Sequence, residues 1–263
     1  AFRQYFRLNV SSHLRYNKNE LIYIDAPERS VPWQEREGKP YGVTLMYKAI
    51  GVFEDQQEVD NYPHWPGAKP GDIKFKDVDG DGDIDADDRI LLDRTESPRT
   101  FYGVSFDLAY KNWNLSMLVQ GQGTYYQQHT TDDRRGNAGN WFGWNYDDRW
   151  TQGNLPNVEA NKNTDVPRAW NRSDQYWNFG VNNNTYWWDS MAYARLKNAV
   201  LSYNVPTSNF LGNSVGLNSA RIFVRGNNLF MIYSAQDKFD PEVGNPMTYP
   251  PTRTIAMGVH LTF

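Results

Sequence analysis

Cysteine is absent from the 263 residues, which excludes disulfides, thiolate metal sites and a cysteine nucleophile. No run of 18 or more apolar residues occurs, so no transmembrane helix is encoded; membrane-crossing strands alternate and need no such run. An excess of positive charge is missing as well. The net charge is -4 and the basic residues are scattered, without the footprint that nucleic acid requires. His13, His64, His129 and His260 show no metal-ligand spacing, and neither a glycine-rich phosphate loop nor a Gly-x-Ser-x-Gly elbow is present. Carboxylates are plentiful, but sequence spacing fixes no separation for a glycosidase pair. No catalytic residue is assigned, and no enzymatic activity is expected.

Aromatic residues are what the chain has in quantity. Ten Trp, 17 Tyr and 13 Phe accompany a mean hydropathy of -0.76. Disordered chains lack aromatics, so the chain folds. A water-soluble β-sandwich has this balance, and so does an outer-membrane barrel with a polar lumen and long polar loops.

Alternation of period two is clearest over 102–110, where Tyr102, Val104, Phe106, Leu108 and Tyr110 are interleaved with Gly103, Ser105, Asp107 and Ala109. The pattern resumes after Lys111-Asn112 as Trp113, Leu115, Met117 and Val119, which predicts a tight hairpin. Ile255, Met257, Val259, Leu261 and Phe263 repeat it at the end of the chain. Weaker strands are predicted over 5–17, 41–53, 191–205 and 220–228, making about seven, too few to close a barrel alone. Because Ala1-Phe2-Arg3-Gln4-Tyr5 opens inside a strand pattern, a fragment or processed piece is expected. Short connections, 111–112 and 206–219, alternate with long ones over 54–99, 127–190 and 229–253. Outer-membrane barrels show that asymmetry, with short periplasmic turns and long extracellular loops. On this count 25–39 is an unusually long periplasmic turn.

The strongest local motif is Asp77-Val78-Asp79-Gly80-Asp81-Gly82-Asp83-Ile84-Asp85-Ala86-Asp87-Asp88. Alternate carboxylates around a glycine turn wrap oxygens around Ca2+, which takes six to eight of them. Asp77, Asp79, Asp81 and Asp88 are expected to bind through side chains, Asp83 through its carbonyl, and Asp85 directly or through water, with Ile84 pinning the loop. Asp88 stands where an EF-hand has Glu, and its shorter arm predicts weaker binding. The ion's expected role is structural, within an Asp-rich segment at 72–93 inserted in an extracellular loop. A solvated acidic turn is the plainer alternative.

A second feature is the loop in which Trp141, Trp144, Trp150 and Trp177 sit among Asn and Asp. Indole faces stack on sugar rings and the polar side chains bond hydroxyls; these four are candidate ligand-binding residues. Packing within the loop and a membrane-interface belt are the competing roles.

Several blocks together resemble the SusC/RagA family of TonB-linked (TonB-dependent) outer-membrane transporters of Bacteroidetes. They are Pro70-Gly71-Asp72-Ile73-Lys74-Phe75-Lys76-Asp77, Ile84-Asp85-Ala86-Asp87-Asp88-Arg89, Phe101-Tyr102-Gly103-Val104-Ser105-Phe106 and Asn114-Leu115-Ser116. Further along come Tyr193-Ala194-Arg195-Leu196-Lys197-Asn198, Leu201-Ser202-Tyr203-Asn204-Val205-Pro206, Gly226-Asn227-Asn228-Leu229-Phe230, Phe239-Asp240-Pro241-Glu242 and Tyr249-Pro250. The resemblance implies an all-β, transmembrane antiparallel β-barrel of about 22 strands, with residues 1–263 as its C-terminal portion. It also implies an N-terminal plug and TonB box, neither present in this chain, TonB coupling through that part, and a SusD-like lipoprotein partner. Phe263 resembles the barrel-assembly signal. The expected function is import of oligosaccharides (glycan fragments) across the bacterial outer membrane, with long loops extracellular and the C-terminus periplasmic. A peptide importer of the same family, a soluble calcium-dependent carbohydrate-binding β-sandwich and a surface glycoside hydrolase are the alternatives.

Overall fold

A computed structural model describes residues 6–93, 95–128, 143–154, 156, 158–169, 184–206, 216–243 and 248–263. In chain order the elements are β1 (Phe6–Tyr16), β2 (Thr44–Met46), β3 (Ala49–Val52), α1 (Gln56–Asn61), β4 (Ile73–Phe75), β5 (Ile90–Leu92), β6 (Thr100–Tyr110) and β7 (Trp113–Gln122). They continue with β8 (Tyr126–Gln128), α2 (Gly143–Asp148), β9 (Thr151–Gln152), β10 (Ala160–Asn161), β11 (Trp188–Ser190), β12 (Tyr193–Val205), β13 (Ser219–Ser234) and β14 (Thr254–Thr262).

Six long strands form one antiparallel sheet in the order β1-β6-β7-β12-β13-β14. Its two faces are chemically opposite, because successive side chains along a strand point to opposite sides. One face is apolar. Its central row runs Val10–Phe106–Met117–Ala199–Gly226–Ile255 in register. Among the described residues, the outward rows hold no Asp, Glu, Lys, Arg or His. Leu8, Val10, Leu14, Ile222, Val224, Met257 and Val259 are large apolar side chains left exposed there. The opposite face carries Arg7, Asn9, Ser11, His13 and Arg15 on β1, then Ser105, Asp107, Asn114, Ser116 and Gln120, and Arg221, Arg225 and His260 beyond.

A single sheet with one uncovered apolar face dissolves in lipid, not in water. Phe6, Tyr110, Trp113 and Tyr203 line up at one end of that face, with the Trp113 and Tyr203 rings 4.8 Å apart. Tyr102 and Tyr233 mark the other end. Tyr102 lies over Gly121, where an added Cβ would fall 2.5 Å from the ring, and its hydroxyl donates to the Tyr193 carbonyl at 2.9 Å. From Tyr102 to Tyr110 the strand covers about 27 Å. With a tilt of about 40° that leaves about 20 Å of height, close to the apolar band of about 25 Å between aromatic girdles. The fold is a stretch of transmembrane β-barrel wall. Among the described residues no second sheet covers the apolar face as a β-sandwich would require.

Among the described residues the wall has six strands where about seven are expected. Residues 41–53 do not enter the wall. They split into β2, which pairs with β5, and β3, which pairs with β4, and they bury Met46 and Phe53 away from the sheet. Half-buried strands alternate wherever they are packed, so period two could not tell a wall strand from a short loop strand. With 41–53 removed, the connection from β1 to β6 is one excursion over 17–99. The anomalous turn at 25–39 is part of it, on the same side as the other long connections. The excursions 17–99, 123–192 and 235–253 all leave one end of the sheet, and 111–112 and 206–218 turn at the other.

Two local features fix the register. The hairpin closes in two residues, with Lys111 in the left-handed region at φ 53 and Tyr110 opposite Trp113. In β13 a bulge opens opposite the 196–198 stretch of β12, with Asn228 at φ 51 and its side-chain amide donating to the Thr252 carbonyl at 3.0 Å. Asn tolerates that conformation better than other non-glycine residues.

Phe106→Arg, in the central outward row, is expected to cost about 2–4 kcal/mol of barrel stability when the whole protein refolds from urea into lipid vesicles. Ser105→Arg, on the inner face, is expected to be tolerated; equal losses would reverse the assignment of faces.

Candidate functional site

Above the sheet, the first two excursions build one body. Tyr47, Phe53, Val59, Trp65, Ile73, Phe75 and Ile84 of the first share a core with Trp187 of the second. The Thr185 amide donates to the Tyr47 carbonyl at 3.0 Å, and the Ala49 amide to the Thr185 hydroxyl at 3.0 Å. Asp72 is fully buried, accepting from the Lys69 amide at 2.9 Å and from Arg168 Nε at 2.9 Å. Gly71 permits this junction. At φ +84 it has the backbone only glycine adopts freely, and a Cβ there would lie 2.6 Å from the Trp150 ring and 2.8 Å from Arg168.

The Asp-rich loop lies on this body. Asp77 Oδ1 accepts from the Gly80 amide at 2.7 Å and its Oδ2 from Gly82 at 3.2 Å. Asp79 accepts from Asp81 at 3.2 Å and Asp81 from Asp83 at 2.9 Å. Gly82, sixth in the loop, has φ +94, the sharp turn that such loops need. Carboxylate oxygens of Asp77, Asp79 and Asp81 lie within 4.8 Å of one another. Ile84 is 2 % exposed and belongs to the core, so the loop is pinned. Asp88 is 1 % exposed and closes it, accepting from Val78 at 2.6 Å and Asp85 at 2.8 Å. Asp85 accepts from the Asp87 amide at 2.8 Å.

A short 3-10 turn, Pro32–Gln34, clamps the exit: Trp33 Nε1 donates to the Asp87 carbonyl at 2.8 Å, and Gln34 to Ala86 at 2.8 Å.

Two carboxyls of the loop are held above their usual range. Desolvation raises the Asp79 carboxyl, and the charges of Asp81, Asp77 and Asp85 raise it further against one backbone hydrogen bond. Asp88 is raised by burial, pulled back by its two amide donors, and raised again by Asp79 and Asp77. Burial pushes the Tyr47 phenol up to about 12, against Arg89 and with Asp85 and Asp88. Of the six residues expected to hold Ca2+, Asp77, Asp79 and Asp81 converge, whereas both Asp88 oxygens accept from backbone amides.

The four candidate tryptophans separate. Trp141 and Trp177 lie outside the described residues. Trp150 is 7 % exposed, donates its indole N–H to the Glu54 carbonyl at 3.0 Å and packs over Gly71; it is a packing residue between the two excursions, with little face left for a ligand. Trp144, on α2, lies under Lys238, whose Nζ is 4.7 Å from the ring centre and donates to Asp189 at 2.9 Å. Its position ties the second excursion to the third. Phe263 follows β14 and is exposed.

One cluster escapes the sequence. Arg195 is almost fully buried and pairs with both Asp240 and Glu242. Glu242 also accepts from Lys197 at 2.7 Å and from the Tyr193 hydroxyl at 2.8 Å. The 193–198 and 239–242 blocks are thus two halves of one ion network that anchors the third excursion to β12. Nothing local links residues more than 40 positions apart.

No protein-family model matches the chain. Among curated proteins it is similar to TonB-dependent receptor P3 of Formosa agariphila, 29% identical over 99% of this chain and 27% of the relative. TonB-dependent receptor P26 of the same organism is 28% identical over 86% of this chain and 23% of the relative. The chain spans about a quarter of the length of these curated relatives. Among solved structures, the RagAB peptide transporter superposes with a TM-score of 0.68 at 20% identity, over 100% of this chain and 28% of that one. The RagAB peptide importer in its 'open-open' state gives 0.66 at 19%, over 99% and 27%. At that identity the superposition establishes the fold. The similarities bear out the resemblance to SusC/RagA-type TonB-linked barrels drawn from the sequence blocks.

Arg195→Met leaves Asp240 without its cation and Glu242 with Lys197 alone, and breaking such a buried pair costs about 3–5 kcal/mol. The expected result in the intact barrel is faster proteolytic cleavage of the segment carrying Asp240 and Glu242; unchanged cleavage would show that the network does not anchor it.

Proposed function

We propose that this chain is the C-terminal part of the wall of an outer-membrane importer that takes up oligosaccharides, energised through TonB and served by a SusD-like lipoprotein. One observation carries the membrane part of this reading: the wall sheet has an uncharged apolar face bounded by aromatic rows and a polar opposite face holding its charged groups. Proteins with that cross-section enclose polar space inside lipid. The long excursions share one end of the sheet, which by the usual asymmetry is the extracellular end, leaving the C-terminus periplasmic. Similarity to proteins named TonB-dependent receptors supports the energy source.

Oligosaccharide as cargo is supported by the density of Trp and Tyr beside Asn and Asp in the excursions. Peptide as cargo is the second reading, favoured by structural neighbours named as peptide transporters. Calcium in the 77–88 loop is proposed as a structural ion. It would neutralise converging carboxylates and stiffen the first excursion through Ile84 and Asp88. The reading assigns no catalytic step to this chain.

Two measurements test these statements. Cells lacking the gene are expected to lose uptake of labelled oligosaccharides but not of labelled peptides; the reverse pattern would establish the peptide reading. In the purified whole protein, Ca2+ is expected to raise the melting temperature, by about 2.7 kcal/mol of added stability at a hundredfold excess over Kd. Asp81→Ala is expected to abolish that gain; an equal gain in the variant would remove the ion from this loop.

A further inference from the structure

Strand β12 has a paired strand on each side, β7 and β13, so the direction of its side chains does not depend on a sheet edge. Two rows cross the sheet in register, Tyr193–Gln122–Phe101–Arg15 and Arg195–Gln120–Gly103–His13. Arg15 and His13 belong to the polar inner face, so Tyr193 and Arg195 point into the barrel as well. Between Leu196 and Asn198 the ladder to β7 advances one residue while β12 advances two, which makes Lys197 the extra residue of a bulge. A bulge re-aims a side chain. Here Lys197 reaches the carboxylate that the two inward residues hold, Glu242, at 2.7 Å.

The third excursion is therefore fastened from inside the wall. Glu242 accepts from the Tyr193 hydroxyl at 2.8 Å and pairs with Arg195 and Lys197, while Asp240 pairs with Arg195. The Asp240 and Glu242 side chains are only 16 % and 14 % exposed, which makes this a closed joint rather than a surface contact. An excursion that rose straight away from the membrane could not set both carboxylates against inward-pointing rows.

On its other flank the same segment rests on the second excursion. Lys238 pairs with Asp189 at 2.9 Å, and the Tyr125 hydroxyl donates to the Pro241 carbonyl at 3.3 Å. The turn is also braced internally: Gln236 Oε1 accepts from the Lys238 and Phe239 amides at 2.7 and 3.1 Å, and Asp240 Oδ1 from the Glu242 amide at 3.0 Å. Bonded on two flanks and within itself, 235–243 is a rigid crosspiece.

We infer that 235–243 is an inward-folded strap that narrows the opening of the barrel on the excursion side and limits the size of cargo that passes. Glu242 is its clasp on Tyr193, Arg195 and Lys197. The size limit rests on the importer reading above; the inward fold does not. Wall strands of this kind enclose a polar passage, and a segment fastened to their inner face takes up part of its cross-section.

The test uses the full-length protein carrying Gln120→Cys, across the ladder from Arg195, with any cysteine elsewhere in the protein replaced by serine. Intact cells are treated with a small maleimide and with a maleimide carried on a long polyethylene glycol. Glu242→Gln loosens the strap without altering the wall, and is expected to speed labelling by the large reagent at least about tenfold relative to the small one. Asp240→Asn should act in the same direction. Uptake of graded oligosaccharides and peptides is measured in the same strains, and the longest species imported is expected to increase. Unchanged labelling by the large reagent overturns the strap. Faster labelling with an unchanged size limit overturns its role as a filter while the importer reading stands. If wild-type cells import neither class, the importer reading falls and the filter with it, and the labelling result alone decides the inward fold.

Discussion

Inside hydrocarbon a backbone amide has no water to bond, so every N–H and C=O of a crossing strand must find its partner in the neighbouring strand. Register follows from that demand. Once Tyr110 stands opposite Trp113, the alternation of β6 and β7 decides which side chains meet lipid, and slipping by one residue would turn Asp107 and Ser105 outward. The tight hairpin at Lys111 and the bulge at Asn228 are therefore part of the membrane design. Each sets the pairing beyond it, and each is built from a residue in the left-handed region. The free edges of β1 and β14 obey the same rule, since each must be paired for the sheet to remain in the bilayer.

Beyond the aromatic row the constraint lapses, and the chain returns to the economy of a water-soluble protein. Here apolar side chains gather inward: Phe53, Trp65, Ile73 and Phe75 form a core with β2 to β5 around it, and buried charges are held by an ion partner or, at Asp88, by backbone amides. Asp72 with Arg168 and Arg195 with Asp240 and Glu242 sit where an excursion meets the wall or a second excursion. The polypeptide thus obeys opposite burial rules on either side of the membrane surface, and buried ion pairs mark several of the joints.

The sequence made the membrane strands legible because their two faces differ in chemistry at every second residue, as at Val104, Phe106 and Leu108 against Ser105 and Asp107. It misplaced 41–53 because short strands packed in a loop draw on the same apolar residues as wall strands; there Met46 with Tyr47 and Val52 with Phe53 are buried as neighbouring pairs. The glycine turn and alternate acids of the Asp-rich loop could be read from spacing alone, and Ile84 could be read as its anchor, because all of these lie within one short stretch. Neither the burial of Trp150 nor the pairing of Arg195 with Glu242 could be read. Both depend on which distant segment folds against which, and a Trp among Asn and Asp looks the same whether it packs or stacks. The order of the resembling blocks carried more information than any one of them, and the structure shows why: the 193–198 and 239–242 blocks are in contact.

The core shared by the first two excursions sets a rule for recombination. Trp187 fills space beside Phe53 and Phe75, Thr185 splices into the backbone at Tyr47, and Trp150 and Arg168 close over Gly71. A chimera that exchanges only one of these excursions between related barrels would pair mismatched halves of a single hydrophobic interior. Natural variation and engineering alike should treat 17–99 and 123–192 as one inheritable cassette, with the membrane strands as an interchangeable frame beneath it.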